Sequence, residues 1–234
     1  MTQENITVQV VDFSSINDDD LLRIAQRWPQ GVPNQSPLSA SQRQTVASRY
    51  ALSLIVPQVD ASLNTSQEHG FSQLTTVDHH DSVSFAHTET LAIAALCRNP
   101  VGVDVENISR TFAYALPKFA TSAELLLAQG STLIENVPVS NMALLWTAKE
   151  ATSKATGLGG RKGFPNFELA ELGPGPLRIR VHSPGPIPLH HPFVQFRLYS
   201  ARGLRYLIAV CTEGQNNPLN LLAYPPHGID TQRG

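Results

Sequence analysis

The alternation Gly102-Val103-Asp104-Val105-Glu106 is the stretch that most constrains this chain. Residues two apart in a strand point to the same face, so Asp104 and Glu106 project together while the valines face a core. Two adjacent carboxylates repel each other unless a positive group lies between them. Mg²⁺, which prefers one or two carboxylates plus water and phosphate oxygens, is the simplest candidate. A solvated edge strand gives the same pattern, so the alternation alone leaves both interpretations open.

About forty positions later, a polar-rich segment runs from Trp146 to Lys154. Its pattern predicts a helix on which Glu150 and Lys154, four residues apart, share one face. Such a pair is also a common surface ion pair, which contributes only about 0.2–0.5 kcal/mol. A large aromatic residue at Trp146 and a further cation at Lys149 make this helix unusual for a solvent-facing element.

The composition is that of a globular protein: 234 residues, of which 41% are hydrophobic and 15% charged. No stretch reaches the roughly 18 apolar residues of a membrane helix, and the N-terminus lacks a basic segment followed by an apolar run. We therefore expect a cytoplasmic protein with no membrane partner; we also expect a monomer that has no nucleic-acid partner. Cys97 and Cys211 have no metal-site or redox spacing and are expected to be reduced and buried.

The order of elements predicts an α+β fold of two similarly built halves, each with a small antiparallel sheet packed against a long helix. Helix patterns begin at Asp18, at Ser39 or Ser41, and at Ser140, and residues 58–81 look mostly irregular with one short strand. The expected division is residues 1–100, residues 101–220 and a tail of residues 221–234.

Charge is distributed unevenly along the chain. Residues 1–100 contain five Lys or Arg against ten Asp or Glu, whereas residues 101–234 contain twelve against nine. The basic excess lies between Arg161 and Arg205. This stretch is either a solvent-exposed strand surface or a surface that attracts an acidic partner.

The two motifs together resemble the 4′-phosphopantetheinyl transferases of the larger, pseudo-dimeric, surfactin-synthetase-activating type. That family has a V-G-(I/V)-D-x-E strand and, some forty residues on, a W-(S/T)-x-K-E-(A/S)-x-x-K helix. Residues 101–106 and 146–154 fit both in order and spacing. The arginine-bearing segment Arg43–Arg49 and the segment Ala86-His87-Thr88 are similar to further family features.

The resemblance implies a Mg²⁺-dependent enzyme, of holo-acyl-carrier-protein synthase type, that transfers the phosphopantetheine arm of coenzyme A to a serine of an acyl or peptidyl carrier protein. It implies that the metal ligands are Asp104, Glu106 and Glu150. The residues implied to contact coenzyme A are Arg43, Arg49, His87, Thr88 and Lys154. The implied catalytic groups are Glu150, as the base, and Lys154.

The chain departs from the family pattern at two places. Gly70-Phe71-Ser72 stands where the family has Gly-Lys-Pro, and Ala86 replaces a serine. A coenzyme A or carrier-protein binding module without turnover therefore remains an alternative, as does a phosphohydrolase with the same metal site. Glu124 fits either an acid near the metal or the capping box that begins at Thr121.

Overall fold

The computed structural model describes residues 5–25, 36–56, 62–66, 71–75, 80–158, 164–169, 171–183, 185–214 and 217–224. Its helices are α1 Asp18–Ala25, α2 Ala40–Ile55, α3 Leu116–Phe119, α4 Ser122–Leu127 and α5 Asn141–Thr156. Its strands, β1 to β13 in order, are Ile6–Asp12, Ser62–Ser66, Phe71–Thr75, His80–His87, Leu91–Cys97, Val101–Asn107, Ser131–Ile134, Val137–Ser140, Phe167–Leu169, Leu177–Val181, Pro192–Ala201, Leu204–Glu213 and Leu219–Tyr224. Among these residues no helix is long and apolar enough to cross a membrane.

The first sheet has the strand order β13-β1-β5-β4-β3-β2. All its pairings are antiparallel except that of β1 with β13. Helix α2 packs on one face of this sheet through an apolar stripe that includes Val46 and Leu52. The helix begins at a capping box in which Ser39 and Gln42 satisfy each other's backbone N–H groups, as the sequence predicts for a start near Ser39.

The second sheet has the order β6-β12-β11-β10-β9 and is antiparallel throughout. Helix α5 packs on β6 and β12, and it ends at Gly157, which adopts the left-handed conformation that a helix stop requires. The α+β class with antiparallel sheets and few helices is confirmed. The division of the chain into two halves stays a prediction.

The two sheets meet through a core that both supply. Valines of β6 pack with Ile93 of β5 and Val10 of β1 in one buried cluster. The hydroxyls of Ser82 and Ser84 in β4 accept hydrogen bonds from the backbone N–H groups of Val101 and Val103, each at 3.0 Å. Strands β4 and β6 are therefore fixed against each other.

Three features differ from the sequence expectation. The described part of residues 58–81 contains two strands, β2 and β3, where the sequence predicts one, and the sequence pattern predicts neither the hairpin β7–β8 nor strand β9. Strand β13 extends into the residues expected to be tail, because its backbone pairs with β1, more than 200 positions away. Such long-range pairing leaves no local sequence signal.

Candidate functional site

Close contact between β6 and α5 builds the site. A Cβ atom on Gly102 would lie 1.9 Å from the carbonyl oxygen of Ala151 and 2.6 Å from the amide nitrogen of Ala155. Glycine at this position therefore lets the strand lie directly against the helix backbone. This approach places the acidic end of β6 beside the polar face of α5.

Asp104 lies against Lys154. The Lys154 ammonium donates to Oδ1 of Asp104 and to the carbonyl of Val103, each at 2.9 Å. Oδ2 of Asp104 is buried and has no hydrogen-bond partner in the described part of the chain. Burial raises the pKa of Asp104 above its ordinary value, and the nearby Lys154 only partly opposes this effect. The site thus contains one carboxylate oxygen that lacks a donor.

Glu106 accepts from two elements. The indole N–H of Trp146 donates to its Oε1 at 2.9 Å, and Nη1 of Arg110 lies 2.6 and 2.7 Å from its two oxygens. The pKa of Glu106 is raised, first by burial and then by the negative charge of Asp104, against the opposing effects of Arg110 and Trp146. The two acids are therefore close enough to repel each other, as the alternation predicts.

Glu150 occupies the middle of this arrangement. Trp146, Glu150 and Lys154 follow one another at four-residue intervals and share a helix face. Because the first contacts Glu106 and the last contacts Asp104, the half-buried Glu150 lies between the two helix residues that reach the strand acids. All three carboxylates predicted as metal ligands thus belong to one strand–helix interface.

A pocket of about 730 Å³ opens beside this interface. Strands of both sheets line it. Its walls include His87 at the end of β4, Thr88 directly after it and Gln44 from α2. The other lining residues near Glu106 are Asn107, Ser109, Arg110, Leu204 and Tyr206. The structure therefore brings the predicted His87 and Thr88 to the same cavity as Glu106.

The side chains of His87 and Thr88 have different surroundings. His87 is exposed, yet the protein around it removes part of its hydration. This lowers the pKa of His87, and the charge of Lys154 lowers it further. The Thr88 hydroxyl accepts from the backbone N–H of Leu91 at 3.0 Å, while its carbonyl accepts from Gln44 at 3.1 Å. Thr88 thus holds the β4–β5 turn at the pocket wall.

The two arginines of α2 do not line this pocket. Arg43 is half-buried and bound by Asp18 and by the carbonyls of Phe13 and Ile16, the latter two at 3.2 and 2.8 Å. Its guanidinium therefore anchors α2 to the loop after β1. Arg49 lies over the ring of Phe85, 4.7 Å from the centroid, and its buried Nη1 has no partner among the described residues.

Glu124 caps its helix and forms a buried ion pair. It closes the capping box with Thr121 and accepts the ammonium of Lys149 at 2.6 Å, with both side chains fully buried. Of the two interpretations left open by the sequence, the structure favours the capping box. Lys149, a member of the helix motif, forms this pair with Glu124 and does not line the pocket.

Other residues singled out in the sequence can be placed only in part. Gly70, Arg161 and Lys162 fall outside the described residues. Arg178 and Arg180 are exposed on β10, three strands away from β6. Cys97 and Cys211 are buried free thiols, as predicted, and burial raises the pKa of Cys211 to about 12.

The sequence reasoning missed several residues of the pocket. Arg110 could have been predicted from the sequence, because an arginine four residues after Glu106 can form an ion pair with that carboxylate. Thr90 and Tyr206 carried none, since they are 116 positions apart and meet through a 3.0 Å contact between Oγ1 and the phenol oxygen.

The donor set suits a hard divalent cation. In the described part of the chain, no three His, Cys, Asp or Glu side chains converge tightly enough to form a metal cage. Lys154 and Arg110 instead neutralise the two strand acids. The unpartnered Oδ2 of Asp104 and the mutual repulsion of Asp104 and Glu106 nevertheless leave carboxylate oxygens of the kind that Mg²⁺ prefers as ligands.

Comparison with known proteins agrees with the two motifs. Residues 100–211 match the family model of the 4′-phosphopantetheinyl transferase superfamily. A relative from Aneurinibacillus migulanus, 4′-phosphopantetheinyl transferase gsp, is 31% identical over 83 residues, which is 36% of this chain and 34% of the relative. The matched segment thus spans about a third of that relative. The resemblance expected from residues 101–106 and 146–154 is confirmed.

Proposed function

We propose that this chain, whose residues 100–211 match the 4′-phosphopantetheinyl transferase superfamily, transfers the phosphopantetheine arm of coenzyme A to a serine hydroxyl of an apo acyl or peptidyl carrier protein. The new bond joins the serine oxygen to the phosphorus that bears the pantetheine arm. The bond between that phosphorus and the oxygen bridging to the adenosine side breaks, and adenosine 3′,5′-bisphosphate leaves. The observation that carries the proposal is the contact between the two motifs: Lys154 on Asp104 and Trp146 on Glu106.

Asp104, Glu106 and Glu150 would hold Mg²⁺, which when bound neutralises charge on the diphosphate of coenzyme A. Lys154, which binds Asp104, and His87, which lines the pocket, would supply positive or donor groups to the co-substrate. Partial burial and the charge of Lys154 lower the pKa of His87, which favours the neutral imidazole over the charged form. Positioning and charge neutralisation supply most of the catalysis in phosphoryl transfer, and this pocket is suited to both.

Glu150 is our candidate for the base. The serine hydroxyl must lose its proton as its oxygen attacks, and a carboxylate within hydrogen-bond reach can take it. Glu150 is half-buried between Trp146 and Lys154, so part of it reaches solvent. An acidic carrier protein, a monomeric enzyme and a cytoplasmic location belong to the same proposal.

The test is intact-mass analysis of a panel of apo carrier proteins incubated with the purified protein, coenzyme A and Mg²⁺. We expect at least one carrier to gain the mass of the arm. Glu150→Gln should abolish the gain, whereas the matched Glu171→Gln, at a distant surface on the β9–β10 side, should retain it. No gain with any carrier would contradict the proposal.

A binding module without turnover is the second candidate, favoured by the neutralisation of Asp104 by Lys154 and of Glu106 by Arg110. Coenzyme A binding without transfer by the wild type would support it. Hydrolysis of coenzyme A in the absence of a carrier, faster than transfer, would instead favour a phosphohydrolase.

A further inference from the structure

Arg110 lines the pocket beside Glu106. It follows Glu106 by four residues, and its side chain is 55% exposed. Its Nη1 contacts both oxygens of Glu106, at 2.6 and 2.7 Å. Its backbone N–H donates to the carbonyl of Asn107 at 3.0 Å, so the main chain is fixed while the guanidinium reaches solvent.

An aromatic platform supports the guanidinium in this position. Phe112 and Trp146 stack with ring centroids 5.5 Å apart and planes at 28°. The central carbon of the Arg110 guanidinium lies 5.0 Å from the first ring centroid and 6.0 Å from the second. Cation–π contacts of this kind stabilise a charge at an exposed site by about 0.5–1 kcal/mol. The aromatic rings therefore stabilise Arg110 beside Glu106, in a position that does not close the pocket.

Each strand acid is paired with a cation: Lys154 binds Asp104 and Arg110 binds Glu106. A divalent cation held by Glu106 needs the carboxylate oxygens that Nη1 of Arg110 contacts, so the two compete for them. Lys154 also donates to a backbone carbonyl and is only 23% exposed, whereas Arg110 has no such carbonyl contact among the described residues and is 55% exposed.

We propose that Arg110 competes with a divalent cation for Glu106 and thereby sets the metal affinity of the site. Once displaced, the guanidinium stays at the pocket mouth, where it can bind an anionic oxygen of the co-substrate. The proposal rests on the metal site in the proposed function and adds a residue that the resemblance does not assign.

The first test measures Mn²⁺ binding by electron paramagnetic resonance of the free ion, with Mn²⁺ as a hard, oxygen-preferring probe. Arg110→Gln should bind Mn²⁺ about tenfold more tightly than the wild type. A neighbouring cation shifts the pKa of a carboxyl group by about one unit or more, and one pKa unit is a tenfold change in affinity. The matched control Arg23→Gln removes an exposed arginine of α1 that pairs with Asp20, and it should leave the affinity unchanged. Equal or weaker binding by Arg110→Gln would overturn the proposal.

The second test asks whether the surroundings of the Arg110 guanidinium change when the metal ion binds. The ¹⁵N side-chain resonance of Arg110, assigned by its loss in Arg110→Lys, should shift as Mg²⁺ is added. Arg202, bound to buried Asp12 at 2.7 Å, serves as the unmoved internal control. An Arg110 resonance unchanged at saturating Mg²⁺ would overturn the proposal.

The outcomes distinguish this proposal from the proposed function. Mn²⁺ binding by no variant would overturn both the metal site and the role of Arg110. Normal metal binding with no transfer to any carrier would count against the transferase alone, because neither test of Arg110 requires turnover.

Discussion

The ammonium of Lys149 lies 2.6 Å from the carboxylate of Glu124, and both side chains are fully excluded from solvent. Lys149 also donates to the carbonyls of Phe119 and Phe164, and Glu124 accepts the backbone N–H of Leu169 at 2.9 Å. Burial lowers the pKa of Lys149, against the opposing effect of Glu124. The pair therefore ties α5 to α4 and β9 and lies apart from the acids Asp104 and Glu106.

Removing one member of the Lys149–Glu124 pair should lower the stability of the protein more than removing both. Lys149→Met leaves an uncompensated buried carboxylate and should lower the free energy of unfolding by about 3–5 kcal/mol. The double variant Lys149→Met/Glu124→Leu should recover part of that loss, because no buried charge remains. Urea unfolding checks both, and a single variant as stable as the wild type would contradict the assignment.

Gly102 should tolerate no side chain. Gly102→Ala places a methyl group against the backbone of Ala151, so α5 must move away from β6. We expect a loss of about 1–3 kcal/mol in stability and a larger fractional loss of transfer activity, since Lys154 and Trp146 move with the helix.

Gly175→Ala is the matched control for this substitution. A methyl group there meets no atom within 4 Å, so stability should change by no more than about 0.5 kcal/mol. Similar thermal unfolding of both variants would show that the close approach of β6 and α5 is not required.

The hydroxyls of Thr90 and Tyr206 join the two sheets at the pocket rim, 3.0 Å apart. A double-mutant cycle with Thr90→Val and Tyr206→Phe should give a coupling free energy of about 0.5–1.5 kcal/mol. Both single variants should raise the KM for coenzyme A more than they lower kcat, because the pocket wall loses its fixed position. Thr90→Ser keeps the hydroxyl and should behave as the wild type. A coupling free energy of zero in the double-mutant cycle would contradict this prediction.

Asp12 and Arg202 make a second link between the sheets and should make stability depend on pH in acid. Burial alone raises the pKa of Asp12, but hydrogen bonds from Ser14 and Arg202 outweigh it, and the net pKa lies below the ordinary 3.8. A carboxyl group with a lowered pKa in the folded state stabilises the protein above its unfolded pKa. That contribution is lost as the pH falls through the folded value.

Arg202→Ala should therefore lower stability near pH 7 and also flatten the loss of stability below about pH 4. Chemical unfolding between pH 2 and 7 measures both effects. If the variant and the wild type lose stability in parallel on acidification, Arg202 does not stabilise the charged form of Asp12.

Much of the fold and of the site could be read from local patterns. Alternation at Val103–Glu106, helical spacing from Trp146 to Lys154 and the glycine at 157 each depend on residues close in sequence. Strands β2, β3, β9 and β13 escaped because their polar or short segments are stabilised by pairing with distant strands. The contact of Arg43 with Asp18, 25 positions before it, likewise depends on the fold.

The sequence by itself determined the α+β class, the family resemblance and the common face of Asp104 and Glu106, because periodicity and motif spacing are properties of neighbouring residues. Only the tertiary structure decided which cation neutralises which acid: Lys154 binds Asp104, Arg110 binds Glu106 and Lys149 is buried with Glu124. These partners are chosen by how β6, α4 and α5 pack, and burial sets the strength of each pair. The same packing places His87, Thr90 and Tyr206 around one pocket, although no spacing in the chain relates them.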